Sequence, residues 1–159
     1  MKTLHIALLA LLGTGIGVRA AGLDDLTWTT TDGEVTITDC NEAATGELVI
    51  PDTIEGNPVT SIGATAFNQC TSLTSVKIAN GVTSIGVGAF FRCTGLASIN
   101  IPDSVTNIVA QTFYRCTSLE SVTIPDSVTS IGERAFFRCT GLTSITIPDS
   151  VISIGDSAF

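Results

Sequence analysis

The chain has 159 residues, 44% of them apolar and 14% charged, which is enough to bury a core and too apolar for a disordered segment. Fifteen acids against seven bases give a net charge of −8, a surface that repels phosphates and argues against nucleic acid as a partner. The single histidine, His5, lies in a segment expected to be removed, so histidine triads and histidine metal sites drop out of consideration.

Residues 1–20 read as a signal peptide. Lys2 supplies the positive start, residues 4–18 are apolar, and Val18-Arg19-Ala20 offers small residues at the cleavage positions. Gly13, Gly15 and Gly17 interrupt the apolar run, which falls short of the ~20 residues that span a bilayer. Arg19 beside the cut is unfavourable and leaves an uncleaved anchor as the alternative. No second apolar span follows, so the mature chain is expected to be secreted or held at the cell surface without a membrane span. Losing Lys2 and Arg19 leaves five bases, a mature charge of about −10.

Residues 21–58 read as an N-terminal cap. Nine acids and no bases fall between residues 21 and 56, and the strand-like pieces are 26–30, 34–38 and 47–50. A polar cap shields the first turn of a repeat stack from solvent and from edge pairing. Trp28 is expected to pack on that first turn, with a ligand platform as its alternative. Residues 53–58 form an insertion of hairpin or loop character.

From residue 59 onward the chain repeats. Phe67, Phe90, Phe113, Phe136 and Phe159 recur every 23 residues, as do Cys70, Cys93, Cys116 and Cys139, and Leu73, Leu96, Leu119 and Leu142. Val or Ile keeps the same step at 76, 99, 122 and 145, and Ile at 78, 101, 124 and 147. A fixed period of this length is the mark of a solenoid. Within one copy, residues 142–147 alternate as a short half-buried strand, and Pro148-Asp149-Ser150 ends it with a turn. Ala158 and Phe159 open a convex side too short for more than a turn of helix. One coil cannot cover its own apolar edge; stacked coils cover each other's.

The unit AFxxCTxLxSIxIPDSVxSIG, as in residues 135–155, resembles the BspA-like class of leucine-rich repeats of bacterial and protist surface proteins. The resemblance implies a repeat solenoid of leucine-rich type, with one short parallel strand per 23-residue coil and an irregular or short-helical convex side. It also implies a secreted or surface-displayed module that binds host, matrix or other cell-surface proteins, with no catalytic residue and no cofactor to carry over. Two departures, Val109 for the usual glycine and Ala79-Asn80-Gly81 for Pro-Asp-Ser, are expected to alter local turns and leave the coil intact. The chain stops at Phe159, the first residue of a new period, which reads as a fragment truncated within its repeats.

The cysteine column reads as a ladder of small buried thiols, because parallel Cβ vectors make the disulfide dihedral difficult; Cys40, outside the column, has Cys70 within possible reach. A linear ladder does not converge on a metal. Asp103, Asp126 and Asp149 read as turn formers supplying one carboxylate per coil, with calcium as the minor alternative.

The candidate binding residues are Phe91 and Arg92, Tyr114 and Arg115, and Phe137 and Arg138, an aromatic and a basic column side by side; the first copy carries Asn68-Gln69 instead. Both residue types are enriched at interaction hot spots. The alternative is that the rings pack on one another along a ridge with the guanidiniums over them. Lys77, Asn100, Thr123 and Thr146 form a second candidate surface. The functional expectation is protein–protein, adhesion-type binding. A display stalk for a further domain and a polysaccharide-acting parallel β-helix enzyme are the alternatives.

Overall fold

Ser75, Ser98 and Ser121 occupy matched register positions in three adjacent parallel strands, so the period of the sequence is the period of the stack. The structure, a computed structural model, describes residues 3–5 and 20–159. The signal-peptide reading of residues 1–20 falls almost wholly outside them. Among the described residues, no helix is long and apolar enough to cross a membrane.

The strands in chain order are β1 (Thr3–His5), β2 (Leu26–Thr31), β3 (Glu34–Cys40), β4 (Gly46–Ile50), β5 (Thr53–Ile54), β6 (Asn57–Ile62), β7 (Leu73–Ile78), β8 (Ser84–Ile85), β9 (Ser98–Asn100), β10 (Asn107–Ile108), β11 (Ser121–Thr123), β12 (Ser130–Ile131) and β13 (Ser153–Ile154). A single 3-10 turn, Leu23–Asp25, precedes β2.

The first strands form hairpins before the coils begin. β2 and β3 pair antiparallel around Asp32-Gly33, and β5 and β6 pair around Glu55-Gly56. Both turns have two central residues at positive φ (53° and 81°, 52° and 79°), the combination a tight hairpin needs and a following glycine makes cheap. The insertion at 53–58 is therefore a hairpin. Trp28 lies on β2 and is buried within the core cluster, so it does not serve as an exposed ligand platform.

Two parallel ladders then run along the stack. One has the order β4-β7-β9-β11 and opens at β4, where the strand-like piece at residues 47–50 lies. The other carries β3, β6 and β8, then β10, β12 and β13. The third side is turn, not helix, and its backbone is also bonded from coil to coil. Phe67 N–H donates to the Ala89 carbonyl (2.8 Å), Phe90 to Thr112 (2.9 Å) and Phe113 to Ala135 (2.8 Å). The irregular convex side expected from the short period is thus realised without helix.

The core is the set of repeating columns. Phe67, Phe90, Phe113, Phe136 and Phe159 stack with ring centroids 4.9 to 5.6 Å apart and planes within 17° of parallel. Phe67, Phe90, Phe113, Leu73, Leu96 and Leu119 have no exposed surface. Each such side chain contributes about 1.5–3 kcal/mol on full burial.

The two departures from the repeat behave differently. Val82 N–H bonds the Ala79 carbonyl at 3.2 Å, the turn that Val105 makes with Pro102 (3.0 Å) and Val128 with Pro125 (3.0 Å), so Ala79-Asn80-Gly81 preserves it. Val109 has a larger effect than a changed turn. Ladder pairing joins β6 to β8 and β10 to β12, but among the described residues none joins β8 to β10. At the equivalent Gly86, Gly132 and Gly155, an added Cβ would lie 2.4 to 2.5 Å from a backbone nitrogen of the preceding coil. Val109 brings such a side chain to this column, and the ladder parts there while the coil as a whole continues.

Residues 142–147 differ from expectation: they carry no strand. A cavity of ≈ 460 Å³ opens between residues 120–126 and 144–148. Ile147, Ile154 and Phe159 of this coil are exposed.

Candidate functional site

The turn that follows each core phenylalanine carries the aromatic and basic columns. Phe90 points into the core and its neighbour Phe91 lies half-buried outside it, so one turn feeds two parallel aromatic stacks. In the outer stack Phe91 and Tyr114 are 4.7 Å apart and 4° from parallel, and Tyr114 and Phe137 are 5.6 Å apart at 23°.

Each arginine turns back over the ring that precedes it. The guanidinium carbons of Arg92, Arg115 and Arg138 stand 5.4, 5.6 and 5.6 Å from the centroids of Phe91, Tyr114 and Phe137, within cation–π range. The backbone makes this possible. Arg92, Arg115 and Arg138 have φ of 58°, 59° and 60°, the left-handed region, and Gln69 in the first coil has the same φ of 61°. Carbonyls of the next coil hold that geometry: Arg92 N–H donates to Tyr114 (2.7 Å) and Arg115 N–H to Phe137 (2.8 Å). All six candidate residues therefore lie on one strip, in the arrangement of stacked rings with guanidiniums over them. Phe91, Tyr114, Arg115 and Phe137 are half-buried; Arg92 and Arg138 are exposed.

Sequence reasoning missed the groove beside this strip. Arg92, Arg115 and Arg138, together with Thr94, Thr117 and Thr140, line a depression of ≈ 410 Å³. The signal was present in the sequence, since each Cys in these three coils is followed by a threonine.

Two of the four residues of the second candidate surface are engaged with the scaffold. Lys77 Nζ is 2.6 Å from Glu47 on the neighbouring coil. Asn100 engages both backbone groups of Ile78: its Nδ2 donates to the carbonyl (3.0 Å) and its Oδ1 accepts from the amide (2.8 Å). Thr123 and Thr146 remain as exposed positions of that column. Asp103, Asp126 and Asp149 sit exposed at the turns after the prolines, and the following Ser127 donates to the Val105 carbonyl at 2.7 Å.

The cysteines are free, buried thiols, Cys40 and Cys70 among them. Three of the four in the column donate across to a phenylalanine carbonyl of the coil before, Cys93 to Phe67 at 2.9 Å, Cys116 to Phe90 at 3.1 Å and Cys139 to Phe113 at 3.0 Å, whereas Cys70 faces the Cys40 carbonyl at 3.8 Å. Burial pushes the Cys93 thiol above its ordinary value, and the neighbouring Cys70 adds to the shift. Among the described residues, no group of three or more His, Cys, Asp or Glu has the arrangement of a metal site.

Residues 45–159 match the BspA type leucine rich repeat region in 6 copies. The chain is similar to a leucine-rich repeat protein of T. pallidum, at 32% identity and a TM-score of 0.81 over 89% of this chain and 66% of that one. A leucine-rich repeat protein from Bacteroides ovatus is 38% identical with a TM-score of 0.76, covering 86% of this chain and 37% of its own length. One from Bacteroides capillosus is 31% identical with a TM-score of 0.65, covering 76% of this chain and 92% of its own. The chain thus spans less than two thirds of the first two of these relatives. No curated protein matches it.

Proposed function

The chain belongs to the BspA-type leucine-rich repeat family, and from that premise we propose that it is an exported module that binds a protein partner through the aromatic–arginine strip, without catalysis. One observation carries the reading. Three coils in succession present a half-buried aromatic ring under an arginine that is paired with no acid among the described residues, on a chain whose acids outnumber its bases two to one. Ring and guanidinium are already ordered by stacking, so a partner meets a surface that loses little side-chain freedom on contact. The apolar run and small residues at the N-terminus support export, and the acidic residues 21–56 support a cap that keeps the stack soluble.

Surfaces coated individually with purified extracellular-matrix proteins test the proposal. Tyr114→Asn with Arg115→Gln copies the first coil's own Asn68-Gln69 pair, which the same turn already carries with φ of 61° at Gln69. The unaltered chain should be retained on at least one surface, and the double variant should lose about tenfold in affinity there. Equal retention of both, or retention of neither on any surface, overturns the proposal.

A further inference from the structure

We infer that the groove beside the strip takes a short acidic peptide segment of the partner, its carboxylates laid along Arg92, Arg115 and Arg138. This rests on the strip being a contact surface and names the chemistry it recognises. Of the bases in residues 20–159, Lys77 is paired with Glu47 at 2.6 Å and Arg134 with Glu133 at 3.1 Å. Arg92, Arg115 and Arg138 have no carboxylate within 4.0 Å among the described residues. Arg115, in the middle, is the most enclosed of the three, and its buried Nε has no acceptor. A guanidinium partly withdrawn from water with no counter-charge gains more from an arriving carboxylate than a fully solvated one does.

Threonines line the rest of the groove. Thr117 and Thr140 direct their hydroxyl protons to the Thr94 and Thr117 carbonyls, each at 3.4 Å, so the guanidiniums are the groove's charged donors. Planar forks of N–H groups match carboxylates two bonds at a time.

The reach of these three arginines suits a short segment. Three arginines one coil apart span roughly 10 Å at the usual ~4.8 Å strand spacing, about three residues of extended peptide. The basic column ends at Gln69, and residues 21–56, which precede it, hold nine acids and no bases. A long sulfated polymer would run onto that acidic ground; a short acidic segment would not.

Fluorescently labelled hexaglutamate tests this, with hexaglutamine and a sulfated hexasaccharide as comparison probes. The variant is Arg92→Gln/Arg115→Gln/Arg138→Gln, which places in each coil the residue that position 69 already holds at φ 61°. The chain should bind hexaglutamate saturably and not hexaglutamine, weaken as salt is raised, and lose about tenfold in the triple variant. Absence of hexaglutamate binding, or binding that the triple variant leaves unchanged, overturns the inference. Tighter strip-dependent binding of the sulfated hexasaccharide overturns it in favour of an anionic glycan. If matrix-protein retention still depends on Tyr114 and Arg115 while hexaglutamate fails to bind, the acidic-peptide assignment falls alone and the contact surface stands.

Discussion

The thiol of Cys116 donates to the carbonyl of Phe90, 26 residues earlier in the chain and one coil away in space. The same bond recurs at Cys93 and Cys139, so the cysteine column acts as a line of buried donors that ties each coil to the one before. Cys116→Ala removes the donor and a small apolar volume together. Chemical denaturation should show a loss of about 1–2 kcal/mol; an unchanged midpoint would mean that the thiols only fill space.

The same burial sets a pH dependence. Cys93 holds its proton in the fold to a higher pH than an unfolded thiol does, so above the unfolded value of about 8.5 the unfolded chain binds fewer protons than the native one. Its contribution to stability is therefore complete at neutral pH and declines as pH rises beyond that value. Thermal melts across that range should show a falling midpoint for the native sequence and a shallower fall for Cys93→Ala.

Val109 and Gly132 offer a reciprocal test of the parted ladder. Val109→Gly should let Asn107 and Ile108 pair with Ser84 and Ile85, read as slowed hydrogen exchange in β8 and β10. Gly132→Val should part the ladder between β10 and β12, since a Cβ there falls 2.5 Å from the Ala110 nitrogen, at a cost of about 1–3 kcal/mol. Unaltered exchange in both variants would disconnect the side chain at this column from the break.

Ile124 is buried immediately after β11, with 5% of its surface exposed. Ile124→Asp places a charge there without a partner and should cost more than about 3 kcal/mol, seen as loss of cooperative unfolding in the adjoining coils. A native-like melt would contradict the core assignment.

Tyr114 separates packing from chemistry. Phe91 and Phe137 occupy the same column, so Tyr114→Phe should change stability by less than about 0.5 kcal/mol. Tyr114→Ala takes the middle ring out of the stack and should lower both the melting midpoint and partner binding.

The sequence alone determined what stacks on what. Apolar residues repeating at one step can be covered only by their counterparts in the next coil, so the phenylalanine, leucine and isoleucine columns, the Pro-Asp-Ser turns and the candidate strip were all legible from spacing. Tertiary structure decided how closely neighbouring coils approach and which polar groups they use. Spacing places Val109 in a glycine column; only the 2.4 to 2.5 Å approach of backbone to that column shows that a side chain there parts the ladder. Spacing places Arg92, Arg115 and Arg138 in a row; only the left-handed turn that carries them shows that each folds over its own ring and borders a groove with the threonines. The physical reason is common to both. Periodicity records each residue's place along one coil, whereas clearance, hydrogen bonding and charge pairing are properties of the gap between two coils.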